Sequence, residues 1–346
     1  MHFTNEVPSY TIDLDEPEEE RWLEVIAAEK KVARRLARQV RKEMPRLLVK
    51  LIKYPFRLAY KASGGRYLVE SDSWAKALGE CPAETLLTQC SYELCHVSDW
   101  LAPKIRIFGC TAGLRWVSGL GMVHARNMDW SLDGMGDATR LFWFRRGRRQ
   151  FVSVGVLGFV GVLSGMLPGR FSITMNWAPP NGRPTFDFGP SFLIREVLET
   201  CDTYEEAVRD LKTTPLSTSV FFVVCGTKKG QGCVIERTQK EAGVRRLRDT
   251  VLAQANHFNL RRFDENNDYL RDADDEDDGE EEEMSFLEWS MNRQELLTER
   301  LEQVPSGASL SKVASCLDVQ CVLNDYTCQQ MAFCPTRGTM AAWRLV

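Results

Sequence analysis

The sequence predicts an α+β fold in which the sheets are mainly antiparallel. The first hundred residues have the apolar periodicity of helices, whereas residues 104–346 carry short strands in blocks that are separated by blocks of helix. Strands grouped in this way favour antiparallel pairing, because parallel neighbours need a crossover between consecutive strands. With 346 residues, 44% of them hydrophobic and 27% charged, the chain can bury a sizeable core.

The N-terminal region is predicted to be helical and strongly basic. Apolar residues recur at four-residue steps over 17–61, a pattern typical of an amphipathic helix that breaks or kinks at Pro45. Further helix is predicted over 74–78 and 84–100. Residues 30–66 contain thirteen Lys and Arg and one acid. This helix therefore has either a solvated outer face or a face that contacts an anionic membrane peripherally.

Strands are predicted where apolar or alternating runs lie between glycines and charged turns. These runs are 105–111, 120–126, 141–146, 151–156, 171–176, 219–225, 232–237, 244–247, 252–255, 327–333 and 340–346. Helices are predicted over 191–200, 204–212, 286–303 and 310–316, with a capping box at Asp202 and Glu205 before the second. Ten acids within the twelve residues 272–283 predict a disordered or solvated insertion.

The chain lacks the features of several functional classes. Glycines interrupt its longest apolar run, 151–167, so no membrane-spanning segment is predicted. Phosphate-binding glycine motifs are missing, and we expect no nucleotide or nucleic-acid partner. The eleven cysteines lack metal-ligand spacing, so we expect reduced, buried thiols, no metal and no cofactor. With neither a signal peptide nor a glycosylation sequon, the expected location is cytoplasmic.

The candidate chemistry centres on Cys110. Residues 109–130 form two strand-like runs around a turn near Ser118, which predicts a β-hairpin that returns Arg126 and Asp129 to the side of Cys110. The chain has four histidines and lacks the Gly-x-Ser-x-Gly motif of serine hydrolases. A papain-type pair between a cysteine and His257 stays open from the residues alone, although the papain cysteine signature is missing.

The spacing of these residues resembles a known family of amide hydrolases. Arg126 and Asp129 follow Cys110 by sixteen and nineteen residues, within the sequence Arg-Asn-Met-Asp. This signature resembles that of acid ceramidase and N-acylethanolamine acid amidase, and the same spacing is found in the related bile salt hydrolases and penicillin V acylases. Further segments resemble the family in the same order along the chain: 7–22, 158–172, 203–207 and 232–237.

The resemblance implies an N-terminal-nucleophile hydrolase with an αββα sandwich of antiparallel sheets. Residues 1–109 would form a helical small-subunit segment and residues 110–346 the catalytic large subunit. The precursor would cleave its own Gly109–Cys110 bond and yield a heterodimer. Cys110 would then be the nucleophile, with its new α-amine, of pKa about 7.7–8.0, as the general base, so that no histidine is required.

The resemblance also assigns the other catalytic residues, which are Arg126, Asp129, Asn176, Asn256 and Arg293. Asp129 would orient the amine, and Arg126 would favour the thiolate of the cysteine. The side-chain amide of Asn256 would donate into the oxyanion hole, with the second asparagine nearby. The family has a further catalytic arginine late in its sequence. Arg293 is assigned to that position, and Arg271 is the alternative.

The resemblance implies a lipid N-acyl amide substrate, either a ceramide or an N-acylethanolamine. The apolar run 151–167 and the side chains of Trp130, Trp143, Phe159 and Trp177 would line an acyl channel. Two features depart from the family. This chain has Trp177 where relatives carry a glutamate that is implicated in self-cleavage. Relatives are secretory or lysosomal, whereas this chain shows no signal peptide or glycosylation sequon. The alternative hypothesis is a catalytically silent relative that binds lipid or a membrane surface.

Overall fold

Two β-sheets packed face to face form the centre of the structure. The computed structural model describes residues 3–44, 46–101, 108–272 and 284–345. One sheet has six strands and the other eight, and helices pack on the outer face of each. This α, β, β, α layering confirms the fold class that the sequence predicts.

The six-stranded sheet carries the hairpin predicted around Cys110. In spatial order its strands are β1 (Phe3–Thr4), β14 (Thr339–Leu345), β13 (Thr327–Cys334), β4 (Gly121–Trp130), β3 (Phe108–Val117) and β12 (Val251–Gln254). Each described pair of neighbours is antiparallel. Helices α9 (Phe286–Glu302) and α10 (Leu310–Ala314) cover its outer face through buried Leu297, Leu301 and Val313.

The eight-stranded sheet packs against the first sheet on one face and against helices on the other. In spatial order its strands are β11 (Ala242–Arg246), β10 (Gly232–Arg237), β9 (Val220–Cys225), β8 (Phe171–Asn176), β7 (Ser164–Leu167), β6 (Arg149–Val156), β5 (Thr139–Arg146) and β2 (Ser9–Asp13). Alternation along β5 separates the two faces. Phe142 and Phe144 contact Trp22 on the helical side, whereas Leu141 and Trp143 pack in the cluster between the sheets.

Among the described residues, seven helices form the layer beside the eight-stranded sheet. They are α1 (Leu23–Glu43), α2 (Arg46–Ala62), α3 (Leu68–Leu78), α4 (Pro82–Gln89), α5 (Ser91–Leu101), α6 (Pro190–Thr200) and α7 (Tyr204–Thr213). The short α8 (Asp268–Asp272) precedes the acidic run, of which residues 273–283 lie outside the described part of the chain. Within the described ranges, no helix combines the length and hydropathy needed to span a bilayer.

The structure corrects three local predictions. The helix predicted over 17–61 begins later, at Leu23, whereas its predicted break at Pro45 is confirmed because α1 ends at Glu43 and α2 begins at Arg46. The capping box before α7 is formed by Thr203 and Glu206, one residue later than predicted, because α7 begins at Tyr204. The strands β1, β2 and β7 were not predicted, and β2 pairs parallel to β5, unlike the other described pairs of its sheet.

A buried ion network joins the N-terminal helices to the rest of the fold. The Glu70 carboxylate on α3 accepts hydrogen bonds from Arg195 on α6 at 2.6 and 2.7 Å, and from Arg21 at 2.8 Å. The indole Nε1 of Trp22 donates to the same carboxylate. Glu70 and Arg195 are fully buried, and their mutual attraction holds the pKa of Glu70 below its usual value despite burial. This network ties residues 1–109 to residues 110–346.

Candidate active site

The β3–β4 hairpin sets the positions of three predicted site residues. Its turn lies at residues 118–120, as the sequence predicts, and its register pairs Gly109 with Asp129, Cys110 with Met128 and Ala112 with Arg126. Arg126 and Asp129 therefore flank the strand position opposite the cysteine. The prediction that the hairpin returns both residues to the side of Cys110 is confirmed.

Every polar atom of Cys110 is hydrogen-bonded to a predicted site residue. Its Sγ accepts from Arg126 Nη2 at 3.1 Å, and its backbone N–H donates to Asn256 Oδ1 at 3.0 Å. Its carbonyl oxygen accepts from Arg293 Nη1 at 3.1 Å and from Asn176 Nδ2 at 3.4 Å. The side chain is 4% exposed, so these contacts act in a medium with little water to screen them.

Arg126 is fixed by groups from the facing sheet. Its Nη1 donates to Ser164 Oγ on β7, and its Nη2 donates to the Met175 carbonyl on β8 as well as to the Cys110 sulfur. The guanidinium is buried, which prevents it from swinging into water. A positive charge held beside the sulfur stabilises negative charge that develops on it.

Asp129 and Arg293 form a buried ion pair beside the cysteine. Asp129 Oδ2 lies 3.4 Å from Arg293 Nη1, and Asp129 Oδ1 accepts from Thr327 Oγ1 at 2.7 Å. Burial raises the pKa of Asp129 and lowers the pKa of Arg293, so removal from water outweighs the attraction within the pair. The indole of Trp289 stacks 3.7 Å from the Arg293 guanidinium.

Gly109, on the N-terminal side of the predicted scissile bond, is packed so tightly that a side chain would displace its neighbours. A Cβ there would lie 3.0 Å from Asp129 Oδ2, 3.2 Å from Asp129 Cβ and 3.4 Å from the Trp289 ring. Glycine thus lets the Asp129 carboxylate approach the Gly109–Cys110 peptide closely.

Two asparagines connect Cys110 to the end of β12. Asn256 Oδ1 accepts from Arg293 Nη2 at 2.7 Å in addition to the Cys110 N–H, and its Nδ2 donates to the Trp177 carbonyl at 2.8 Å. Asn176 Nδ2 donates to the carbonyls of residues 254 and 255 at 2.9 and 3.1 Å. Both side chains are fully buried. An amide held in this way can present a donor to a negatively charged oxygen.

The choice between the two late arginines follows from their positions. Arg293 is fully buried on α9 and reaches both Cys110 and Asp129. Arg271 is exposed and bonds to the acids Asp264 and Asp268 of its own segment. Arg293 is therefore the late arginine that lies in this site.

The four predicted acyl-channel aromatics lie in different places. Trp130 and Phe159 line an apolar crevice between α1 and residues 156–163, whose other walls include Leu36, Val40, Trp74, Leu132 and Leu163. Trp177 is buried against the rings of His96, Tyr269 and Phe286. Trp143 packs between the sheets and does not line the crevice. A role in binding substrate stays a prediction for all four.

His257 contacts Ser290 and has no described hydrogen bond to the cysteine. Its Nδ1 lies 2.8 Å from Ser290 Oγ, and no hydrogen bond among the described residues joins it to Cys110. Burial, with help from Arg245 and Arg293, lowers the pKa of His257 to about 4. The geometry gives no support to a papain-type pair with Cys110.

Several residues of the site were not predicted from the sequence. Ser164, Ser290 and Thr327 each bond to a predicted site residue, and Thr111 Oγ1 accepts from Arg293 at 2.9 Å. Thr111 follows the cysteine directly, so the Cys-Thr pair was a usable signal. In the described part of the chain, no group of three His, Cys, Asp or Glu side chains could hold a metal ion.

Comparisons with known proteins agree with this geometry. A family model for acyl-coenzyme A:6-aminopenicillanic acid acyl-transferase matches residues 173–330, and one for the β subunit of N-acylethanolamine-hydrolyzing acid amidase matches residues 5–54. The chain is 28% identical to the N-acylethanolamine-hydrolyzing acid amidase of Caenorhabditis elegans over 250 residues, 67% of this chain and 68% of that protein. It is 26% identical to the acid ceramidase of Rattus norvegicus over 268 residues, 68% of this chain and 65% of that protein.

A solved structure, the Caenorhabditis elegans N-acylethanolamine-hydrolyzing acid amidase ortholog, matches with a TM-score of 0.53 at 22% identity. That match covers 68% of this chain and 100% of the other, and it agrees in fold. The fold and the relatives place this protein in the class of N-terminal-nucleophile hydrolases that cleave amide bonds. Within that class, the chain is similar over about two thirds of its length to N-acylethanolamine-hydrolyzing acid amidase and acid ceramidase.

Proposed function

We propose that this protein hydrolyses the amide bond of a lipid N-acyl substrate, with Cys110 freed as the nucleophile by cleavage of the chain's own Gly109–Cys110 bond. The observation that carries the proposal is the set of contacts to Cys110, whose nitrogen, sulfur and carbonyl oxygen are each held by a different buried side chain. Structural cysteines in a core do not require such a set of partners.

Self-cleavage would begin with attack of the Cys110 sulfur on the Gly109 carbonyl carbon. The peptide nitrogen leaves with a proton as the α-amine of Cys110, and a thioester joins Gly109 to the sulfur. Water then hydrolyses this thioester, which releases the Gly109 carboxylate and the thiol. The close approach of Asp129 to Gly109 supports a role of its carboxylate in orienting the new amine.

The mature site would use the same atoms on a substrate. The α-amine of Cys110 takes the thiol proton, the sulfur attacks the acyl carbon, and the leaving amine of the substrate takes the proton. Water then releases the fatty acid from the thioester. Arg126 contacts the reacting sulfur, whereas Arg293 and Asn256 contact the backbone oxygen and nitrogen of Cys110. Two guanidinium groups thus lie beside the single carboxylate of Asp129, and this balance supports stabilisation of a developing oxyanion.

The crevice supports an apolar acyl group. One end is close to the catalytic residues, because its lining residue Trp130 follows Asp129 and its lining residue Leu163 precedes Ser164, the partner of Arg126. The remaining walls are mostly aliphatic and aromatic, and α1 contributes part of them. Residues from both sides of the proposed cleavage point would therefore contact the acyl chain.

The test combines a gel with an assay. The wild-type chain should separate into fragments of 109 and 237 residues (346 minus 109) that begin at Met1 and Cys110 and should release fatty acid from a ceramide or an N-acylethanolamine. Cys110→Ala should stay intact and inactive, whereas Cys233→Ala, which removes an equally buried thiol from β10, should behave like the wild type. An intact wild-type chain without hydrolysis between pH 4 and pH 8 would contradict the proposal and favour a silent lipid-binding protein.

We also propose that α2 contacts an anionic membrane surface. Leu47, Leu51, Tyr54 and Leu58 recur at helical spacing and are 62–72% exposed, and lysines and arginines flank them. An apolar stripe beside basic residues suits insertion at the headgroup level.

Sedimentation with vesicles tests this contact. The protein should bind vesicles that contain phosphatidylserine and bind phosphatidylcholine vesicles less. Leu51→Gln with Leu58→Gln should weaken binding at least about tenfold, since each apolar side chain returned to water forgoes roughly 1.5–3 kcal/mol of burial. Met291→Gln, which alters an exposed apolar residue of α9, is the matched control. Equal binding by both variants would refute the contact.

A further inference from the structure

One face of α9 holds the backbone that carries Asn256. Gln294 Oε1 accepts from the Ala255 N–H at 3.2 Å, and Ser290 Oγ accepts from the Asn256 N–H at 2.8 Å. Arg293, one turn after Ser290, reaches the Asn256 side chain. Three side chains of a single helix thus fix two consecutive residues just beyond β12.

Ser290 also contacts a buried imidazole that has no part in the proposed mechanism. His257 Nδ1 lies 2.8 Å from Ser290 Oγ, and the two side chains are 6% and 0% exposed. His257 follows Asn256 in the chain, so the serine bridges the backbone of one residue and the ring of the next.

The partners of Ser290 indicate a direction for these hydrogen bonds. Ser290 Oγ accepts from the Asn256 N–H, and its own proton finds no acceptor among the described residues other than His257 Nδ1. This pairing assigns His257 Nδ1 as the acceptor and places the ring proton on Nε2. Burial, which lowers the pKa of His257 to about 4, keeps the ring neutral at higher pH. The result is a directed chain from the Asn256 N–H through the Ser290 hydroxyl to His257 Nδ1.

We propose that Ser290 and His257 are positioning residues, which act through this chain to hold Asn256 in place for the reaction at Cys110. The proposal rests on the function proposed above. His257 fixes the orientation of the Ser290 hydroxyl, and the hydroxyl oxygen fixes the backbone of Asn256. Asn256 Oδ1 then meets the Cys110 nitrogen at 3.0 Å while its Nδ2 is directed to the Trp177 carbonyl.

The expected effect concerns the reaction more than substrate binding. Loss of an oxyanion-hole donor costs about 10²–10³ in kcat, and displacement of a positioned group by about 1 Å can cost about 10². A residue that positions Asn256 without contacting substrate should therefore lower kcat about 10- to 100-fold and leave KM within about twofold.

Four variants and one control test the hydrogen-bonded chain from Asn256 through Ser290 to His257. Ser290→Ala removes the hydroxyl, His257→Leu removes its acceptor, and His257→Asn keeps an acceptor near the position of Nδ1. The fourth variant combines Ser290→Ala with His257→Leu. Ser172→Ala is the control, because it breaks an equally buried serine–histidine pair, with His124 at 3.0 Å, between the sheets.

The measurements are kcat, KM and the hydrogen-exchange rate of the Asn256 backbone amide. Ser290→Ala and His257→Leu should lower kcat as stated and speed exchange, whereas His257→Asn and Ser172→Ala should stay within about threefold of the wild type. The double variant should have the same kcat as Ser290→Ala. When two residues act through the same hydrogen bonds, the effects of replacing them do not add.

Two results would overturn the proposal. One is exchange and kcat in Ser290→Ala and His257→Leu that match the Ser172→Ala control. The other is losses that multiply in the double variant. A wild-type protein that turns over no N-acyl substrate would reject the proposed function instead, and the exchange rates alone would then decide whether Ser290 and His257 hold Asn256.

Discussion

The buried carboxyl of Glu93 should make the wild-type protein less stable as the pH rises. Glu93→Gln removes this carboxyl and should abolish the effect. Glu93 lies on α5, is 9% exposed, and accepts a long hydrogen bond of 3.4 Å from Ser217. Burial raises the pKa of Glu93 from 4.5 to about 7. The folded protein therefore binds more protons than the unfolded chain between these two values, so the free energy of unfolding falls as pH rises through that window.

The size of the effect follows from the two pKa values. The two pKa values differ by about 2.5, and each pKa unit corresponds to 1.36 kcal/mol, so the difference corresponds to about 3 kcal/mol. Near pH 4 the wild-type carboxyl is protonated, and Glu93→Gln should have nearly the same stability. At pH 8 the variant should be more stable than the wild type by about 3 kcal/mol.

Urea unfolding at several pH values measures this difference. Both proteins should carry Cys110→Ala so that each remains one chain. Glu299→Gln, on the exposed side of α9, is the control and should follow the parent protein at every pH. A difference between Glu93→Gln and its parent that does not change between pH 4 and pH 8 would refute the reasoning.

The remaining predictions concern close or charged contacts. Glu70→Gln should lower the free energy of unfolding by about 3 kcal/mol in urea, because Arg195 loses a buried counter-charge; a loss below about 1 kcal/mol would contradict this. Gly109→Ala should slow the appearance of the two fragments on a gel at least about tenfold, because its Cβ would push against Asp129; normal cleavage would be inconsistent with that packing. Gly113→Ala should cost about 1–3 kcal/mol in thermal unfolding, because its Cβ would clash with the buried side chain of Leu301 on α9, and an unchanged melting temperature would count against it.

Much of the fold could be predicted because its elements are local and periodic. The hairpin around Cys110 has two long strands and a three-residue turn, so its pairing is determined within 23 residues, 108–130. Helix α9 is equally regular. The strands β1 and β2 could not be found in this way, because they are two and five residues long and their strand partners, β14 and β5, lie far along the chain.

The site residues also differ in whether local sequence could predict them. Arg126 and Asp129 follow from the hairpin, since both lie on the strand beside Cys110. Asn176, Asn256 and Arg293 come from three distant elements, and only the resemblance to a family assigned them. The hydroxyls of residues 164, 290 and 327 could not be predicted, because a serine or threonine that bonds to a buried partner leaves no periodic signal in the sequence.

The two N-terminal strands also determine what would follow cleavage after Gly109. Strand β2 forms one edge of the eight-stranded sheet, and β1 forms one edge of the six-stranded sheet. A fragment of residues 110–346 alone would expose the backbone of β5 and β14 as open edges, and open edges invite pairing with other chains. After the proposed cleavage, residues 1–109 would cover both edges, and we expect residues 110–346 to aggregate when the two fragments are separated.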